Sequence, residues 1–243
     1  MIANALRLDA HGRDGRTVVG RIRAEGLCRA SRPFRDGAAA RVVVSHLGPG
    51  FIRGDAFTSG GRIEAGAHLI VAGQMATRVL SGPESVTSVA EWYVAAGATL
   101  ELLPEATLVC AGAWYDARTQ LHLEPGARAV VMEVVHRERG AALASATIAR
   151  RGERLALHDA LRFAADDEDA GAIGTIAVFG AHAGAAALDA VADSLAGVRI
   201  GVGTLRDGDV LARVTGESVW DVRAALCALR LAAAHAVATT MHV

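Results

Sequence analysis

The most conspicuous absence in the sequence is lysine, because all 25 basic side chains are arginines. They are balanced by 26 acidic side chains, and the formal net charge is -1. Nucleic-acid-binding domains usually carry a clustered basic excess, so this balance predicts no nucleic-acid partner. The phosphate-binding loop G-x-x-x-x-G-K-[ST] requires a lysine. The absence of lysine therefore excludes an ordinary P-loop GTPase.

Clusters of metal-binding or nucleophilic residues are also missing. The three cysteines, Cys28, Cys110 and Cys227, are far apart, which fits neither a disulfide framework nor a zinc knuckle. None of the nine histidines forms an H-x-H or H-x-x-x-H pair with another, although His46 and His136 lie beside loop segments. No G-x-S-x-G or H-E-x-x-H motif is present. We therefore expect no catalytic residues and no enzymatic activity.

The sequence also lacks a long apolar run. The longest weakly polar stretch, 224–241, contains Arg230 and His235, which argues against a membrane span. Residues 1–9 do not show the basic region and apolar run of a secretory signal. A chain of 243 residues can bury a sizeable core without disulfide or metal support, and no Pro/Ser-rich linker divides it. We expect a cytoplasmic protein with a single domain over residues 1–243.

A weak internal repeat is the most informative pattern that is present. The segments 65–71, 96–102 and 125–131 resemble one another, and their glycines, Gly66, Gly97 and Gly126, are 31 and then 29 residues apart. Each glycine follows a segment of alternating apolar and polar residues, which is typical of a strand with one buried face. A period of this size predicts stacked β-units, each made of a strand, a tight turn and a second strand. The alternative is a set of ordinary hairpins in a β-sandwich.

Short strands flank this repeat on both sides, and helices appear only near the C-terminal end. Further strands are predicted from β-branched or apolar runs bounded by turn residues, at 16–23, 40–45, 145–149, 155–158, 175–179, 200–203 and 210–214. The alanine-rich segment 185–195 and the segment from about 219 to 240 have helical character. We therefore predict a mainly β fold of stacked strands, solenoid or sandwich in character, with one or two α-helices in the C-terminal third.

Four carboxylates interrupt or close apolar segments. They are Asp55, Glu101, Glu133 and Asp159. A carboxylate in a half-buried strand either faces solvent or is costly to bury unless it is paired. Taken together, the four can also line a hydrated passage in which oxygen ligands hold a divalent cation weakly, with Thr77 as a neighbouring polar group.

Several motifs in a consistent order give the sequence a family resemblance. Segment 48–55 is an altered Gly-Gly-x-x-x-Gly-Asp element, segment 72–79 is similar to T-x-Q-A-A-T-K-V, and segment 97–104 matches G-A-x-L-E-x-L-P. Segments 126–133, 207–214 and 221–226 continue the series. On these residues the chain resembles the urease accessory protein UreD (UreH) family. It departs from the pattern at Arg78, which replaces a lysine, at Cys110, where an aromatic residue often occurs, and at a degraded element over 137–142.

The resemblance implies a function as well as a β-rich, helix-poor fold. Such proteins bind the helical partner UreF, which recruits the GTPase UreG, and the assembly docks on apo-urease to insert nickel. A polar tunnel is the proposed nickel route, so the resemblance implies transient Ni2+ and no tightly bound cofactor. The four carboxylates are then candidates for lining that passage. The alternative from another class is a β-solenoid or sandwich that binds a small ligand or carbohydrate, which the scarcity of Trp and Tyr disfavours.

Overall fold

The computed structural model describes residues 3–52, 54–180 and 185–240; residues 1–2, 53, 181–184 and 241–243 lie outside this description. The described chain is mostly β-strand, with two α-helices and a short 3-10 turn at Arg206–Gly208. The strands are β1 (Ala3–Arg13), β2 (Arg16–Glu25), β3 (Cys28–Ala30), β4 (Phe34–Asp36), β5 (Ala39–His46), β6 (Ala56–Ile63), β7 (His68–Gly73), β8 (Thr77–Val79), β9 (Val86–Val94), β10 (Thr99–Leu103), β11 (Thr107–Val109), β12 (Trp114–Leu123), β13 (Arg128–Arg137), β14 (Ala142–Arg151), β15 (Arg154–Phe163), β16 (Gly171–Phe179), β17 (Val198–Thr204) and β18 (Val210–Gly216). The helices are α1 (Ala185–Ala192) and α2 (Val219–Thr240).

The strands form two sheets that face each other. Sheet 1 has seven strands in the order β15-β14-β12-β9-β6-β1-β2. Sheet 2 has eleven strands, with a main path β17-β18-β16-β13-β10-β7-β5-β3 and the short strands β4, β8 and β11 beside it. Pairing is parallel along β6-β9-β12-β14 and along β5-β7-β10-β13, whereas the outer pairs β1-β2, β14-β15, β13-β16, β16-β18 and β17-β18 are antiparallel.

The repeat in the sequence corresponds to successive turns of this stack. β6, β9 and β12 lie in sheet 1, and each leads through a tight turn to β7, β10 or β13 in sheet 2. Gly66, Gly97 and Gly126 occupy equivalent turn positions with φ of 73°, 71° and 84°, which a glycine adopts without steric cost. The N–H of Gly66 donates to the carbonyl of Gly97, and the N–H of Gly97 donates to that of Gly126, each at 3.3 Å. The predicted stacked β-units are therefore confirmed, and the hairpin alternative is wrong because the two strands of a unit lie in different sheets.

The predicted strands and helices all occur, although most strands are longer than their sequence patterns indicated. Segment 145–149 is the middle of β14, and segment 155–158 belongs to β15. β1 was not predicted, since its polar residues obscure the alternation of Leu6, Leu8 and Ala10 that places these three side chains in the core. The mainly β fold class with C-terminal helices is confirmed.

Among the described residues, three apolar clusters hold the layers together, and two of them are large. One lies between the sheets and includes Trp92, Leu100 and Leu121 at 1% exposure or less. The other lies on the opposite face of sheet 2, where Val222, Leu226 and Leu229 of α2 pack against β13, β16 and β18. Burying an apolar face of this kind supplies most of the stability of a helix in a protein. In the described part of the chain, no helix combines the length and apolarity that a membrane span requires.

The close approach of strands in sheet 1 gives a stability prediction. A Cβ atom on Gly61 in β6 would lie 1.7 Å from the carbonyl oxygen of Leu8 in β1, whereas a Cβ on Gly201 in β17 would meet no atom within 4 Å. Gly61→Ala should therefore lower the free energy of unfolding by about 1–3 kcal/mol or more, because the strands must separate. Gly201→Ala, the matched control, should change it by less than about 0.5 kcal/mol. Urea denaturation of both variants measures this, and equal stability of the two would contradict the packing described.

Candidate functional site

A cavity of about 190 Å³ lies between the two sheets. Its wall contains aromatic and apolar side chains together with a few polar ones, which include His46, Thr77, Glu105, Glu133 and Thr147. Met75 also lines the cavity and is 74% exposed, so the cavity reaches the surface at this residue. We call this end of the cavity the mouth.

The mouth exists because two strands of sheet 2 are interrupted at the same level. β7 ends at Gly73 and β8 begins at Thr77, while β10 ends at Leu103 and β11 begins at Thr107. The neighbouring strand β13 continues without a break. Pro104 has no N–H to donate to a ladder, which favours the end of β10 at this point. A Cβ on Gly73 would lie 2.5 Å from the nitrogen of Glu105, so glycine is required where the two gaps meet.

Glu133 projects from β13 into the cavity and contacts the opposite sheet. Its Oε1 accepts a hydrogen bond of 2.6 Å from the hydroxyl of Ser145 in β14. The pKa of Glu133 is raised above its ordinary value, mainly by burial and further by the negative charge of Asp159. The hydrogen bond from Ser145 and the positive charge of Arg213 lower the pKa in part but do not cancel the rise. The carboxyl group therefore holds a proton more tightly than an exposed glutamate does.

Asp159 lies beside Glu133 and is held by an arginine. Both oxygens of Asp159 in β15 accept from Nη2 of Arg213 in β18, at 2.6 Å. This ion pair joins the edge of sheet 1 to sheet 2 and places a second carboxylate close enough to influence Glu133. The sequence-predicted residues Glu133 and Asp159 are thus brought together by the fold.

Glu101 lies on the other face of sheet 2. Its neighbours Leu100 and Leu102 pack between the sheets, and the alternation of a strand turns Glu101 outwards beneath α2. Its oxygens accept from Nε of Arg230 at 2.6 Å and contact Nε2 of His68 at 2.7 Å. Burial alone would raise the pKa of Glu101, but the hydrogen bonds from His68 and Arg230 and the charge of Arg230 lower it below its ordinary value.

Asp55 is a buried residue of the turn that leads into β6, at 2% exposure. Its Oδ2 accepts from the N–H of Ile52 at 3.1 Å, and its carbonyl oxygen accepts from the N–H of Thr87. Among the described residues, the cavity wall does not include Asp55 or Glu101. Of the four predicted carboxylates, the structure places only Glu133 in the cavity wall; Asp159 lies next to Glu133 but is paired with Arg213, and the other two lie in local hydrogen-bond networks.

Two polar residues of the cavity wall, Glu105 and His46, were not among the site residues predicted from the sequence. Glu105 lines the mouth and pairs with Arg223 of α2. Its position directly after the G-A-x-L-E-x-L-P element is the feature of the sequence that could have identified it. His46 lies edge-on against the rings of Phe51 and Phe57, with centroid distances of 4.9 and 4.6 Å. Burial lowers the pKa of His46, so its imidazole is neutral at pH 7. Within the described residues, no three His, Cys, Asp or Glu side chains are grouped to hold a metal ion.

Comparison with known proteins places the chain among urease accessory proteins. The family model described as UreD urease accessory protein matches residues 3–242. A urease accessory protein UreD from Kocuria rhizophila is 30% identical over 136 residues, which are 55% of this chain and 37% of the relative. Those from Sorangium cellulosum and Bacillus sp. strain TB-90 are 28% and 25% identical, over 84% and 88% of this chain and 72% and 87% of their own lengths. The match with the Kocuria protein thus spans less than half of that relative.

The opposite environments of Glu133 and Glu101 give a pH-dependent prediction. The raised pKa of Glu133 means that the folded protein binds the proton more tightly than the unfolded chain, so stability falls as pH rises from the ordinary glutamate pKa through the folded one. Glu133→Gln should remove this loss and be more stable than the parent at pH 7. Glu101, with its lowered pKa, stabilises the fold above the ordinary pKa and loses this effect as pH falls. Glu101→Gln should cost about 1–3 kcal/mol at pH 7. The free energy of unfolding of each variant, measured between pH 4 and 8, tests both predictions. If both substitutions stabilised the protein at pH 7, or both destabilised it, the environments described for the two glutamates would be contradicted.

Proposed function

This chain belongs to the UreD family of urease accessory proteins, and we propose that it serves urease maturation as a non-catalytic scaffold that assists nickel insertion. In this proposal it binds UreF, and the two act with UreG on the urease apoprotein in the cytoplasm. The cavity between the sheets, with Glu133 in its wall, is the observation that carries the proposal. No tightly bound cofactor is required, because nickel is the cargo.

The cavity has the chemistry of a transient cation route. A divalent cation cannot enter an apolar interior without oxygen or nitrogen ligands at intervals, since its desolvation is too costly. Glu105 and Thr77 at the mouth and Glu133 further inside offer such oxygens. Scattered single ligands hold a cation more weakly than a closed cage of histidines or thiolates, and weak binding lets the ion leave again. Among the four carboxylates first considered, Glu133 is the one in the cavity wall, and Asp159 acts on it through its charge from outside the wall.

The outer side of α2 has the properties of a partner surface. Trp220 and Leu231 are 63% and 52% exposed, and Ala224 lies exposed between them on the same side of the helix. Exposed apolar side chains that share one face often mark a protein interaction site. The opposite side of α2 is buried on sheet 2, so the outer side is the exposed one, and we propose that a helical partner such as UreF docks there.

The cation route predicts selective loss of urease activation. Glu133→Gln and Asp159→Asn keep the size of each side chain but remove its charge, and each should lower activation by about tenfold, or roughly 1.4 kcal/mol. Co-expression with urease and the other accessory proteins measures activation, while co-purification reports assembly. Glu168→Gln, in an exposed loop, is the control and should activate normally. Normal activation by the Glu133 and Asp159 variants in assembled complexes would refute the route.

The surface on α2 predicts a separable binding defect. Trp220→Ser and Leu231→Ser should weaken UreF binding without loss of stability, because both side chains are exposed. Removal of residues 219–243 should instead destabilise the protein, since Val222, Leu226 and Leu229 are completely buried. Leu155→Ser, on an exposed position of β15, is the control for a general effect of lost apolar surface. Binding titrations with purified UreF measure the affinity of each variant. Unchanged affinity in the variant that combines Trp220→Ser and Leu231→Ser would exclude this surface.

A further inference from the structure

The mouth of the cavity is joined to α2 by an ion pair. Glu105 contributes to the mouth, and its Oε1 accepts a hydrogen bond from Nη2 of Arg223 in the second turn of α2. The side chain of Glu105 is 16% exposed and that of Arg223 is 34% exposed. The pair therefore lies at the boundary between the cavity and solvent, and the arginine side chain is the more exposed of the two, although its Nε is buried.

A second ion pair holds α2 independently of the mouth. Arg230 is seven residues after Arg223, close to two helical turns, and so projects from the same side of α2. It pairs with Glu101, whose side chain is only 9% exposed, and His68 contacts the same carboxylate. Leu226 and Leu229 fill the space between the two pairs. Loss of the Arg223 pair thus leaves α2 attached to sheet 2.

The charge of the mouth depends on where the Arg223 side chain lies. When its guanidinium contacts Glu105, the carboxylate is neutralised, and a divalent cation gains little by approaching it. When Arg223 moves away, Glu105 becomes an uncompensated oxygen ligand at the entrance. Arg223 can make this movement by a change of side-chain rotamer, because a third of the side chain already contacts solvent. A carboxylate on a docked protein is the natural competitor for the guanidinium, since arginine and carboxylate groups form strong bidentate pairs.

We propose that Arg223 gates the cavity. In the free protein it pairs with Glu105 and keeps the mouth electrically neutral; a partner that presents an acidic side chain to α2 draws Arg223 away and exposes the charge of Glu105 to incoming cations. This gate rests on the proposed cation route, for which it supplies the regulation. Arg223 is a positioning residue, because it acts through Glu105 and does not itself bind the cation.

Thiol labelling can measure the entry of cations at the mouth without any urease assay. Thr77→Cys places a reactive thiol in the cavity wall, in a background with Cys110→Ser and Cys227→Ser; Cys28, which is fully buried, remains as an internal reference for unfolding. The probes are a small cationic methanethiosulfonate and a neutral one of similar size. Site-resolved mass spectrometry gives the labelling rate for each.

Arg223→Met should raise the rate of cationic labelling at position 77 by about tenfold, which corresponds to roughly 1.4 kcal/mol of lost repulsion, and should change the rate of the neutral probe little. Arg223→Lys retains a cation and should raise the cationic rate much less. Arg230→Met breaks the pair away from the mouth and should leave both rates near those of the parent. Glu105→Gln leaves Arg223 at the mouth without its carboxylate, so it should slow the cationic probe and leave the rate of the neutral probe unchanged.

An unchanged rate in both Arg223→Met and Glu105→Gln, with circular dichroism showing folded protein and Cys28 unlabelled, would overturn the gate. The same outcome would leave the cation route standing if Glu133→Gln still lowered urease activation by about tenfold. Conversely, faster cationic labelling in Arg223→Met together with slower cationic labelling in Glu105→Gln supports the gate even where activation does not depend on Glu133, and in that case it is the cation route that fails. The two readouts therefore separate this inference from the proposal on which it rests.

Discussion

The stacking of parallel strands through backbone hydrogen bonds is the constraint on which the rest of the structure depends. Each turn of the chain places one strand in each sheet, and the glycine turns are themselves linked by hydrogen bonds from Gly66 to Gly97 and from Gly97 to Gly126. Because all layers share one register, a local interruption affects neighbouring strands at the same level. The gaps at 74–76 and 104–106 are such an interruption, and they open the cavity to the surface.

Strand alternation then assigns opposite roles to carboxylates that look alike in the sequence. Glu101 and Glu133 both interrupt apolar strands of sheet 2, yet one faces α2 and the other faces the cavity. An arginine and a histidine satisfy Glu101, and its pKa falls. Glu133 has a hydroxyl partner and a neighbouring carboxylate, and its pKa rises. The first stabilises the attachment of the helix, whereas the second keeps its carboxyl group in the cavity wall and binds a proton more readily.

α2 connects these two environments. Its buried side covers sheet 2 with Val222, Leu226 and Leu229, while Arg223 and Arg230 extend from it to carboxylates of β10 and of the segment that follows β10. Its outer side carries Trp220 and Leu231. A protein that docks there meets the same helix whose arginine borders the mouth. Partner binding and access to the cavity can thereby be coupled through one side chain, with no rearrangement of the sheets.

The sequence alone determined the repeat, the turn glycines, the C-terminal helices and the family, because these depend on periodicity and on local backbone conformation that nearby residues dictate. It also pointed to Glu133. Only the tertiary structure decided that Asp55, Glu101 and Asp159 lie outside the cavity wall and that Glu105 belongs to it. A face of a sheet can border solvent, a cavity or a helix, and which of these it borders depends on segments that are distant in sequence. Arg223 and Arg230 of α2 are examples, because they contact the residue after Pro104 and a residue of β10, respectively. Strand alternation specifies the side of a sheet to which a residue points, but not what covers that side.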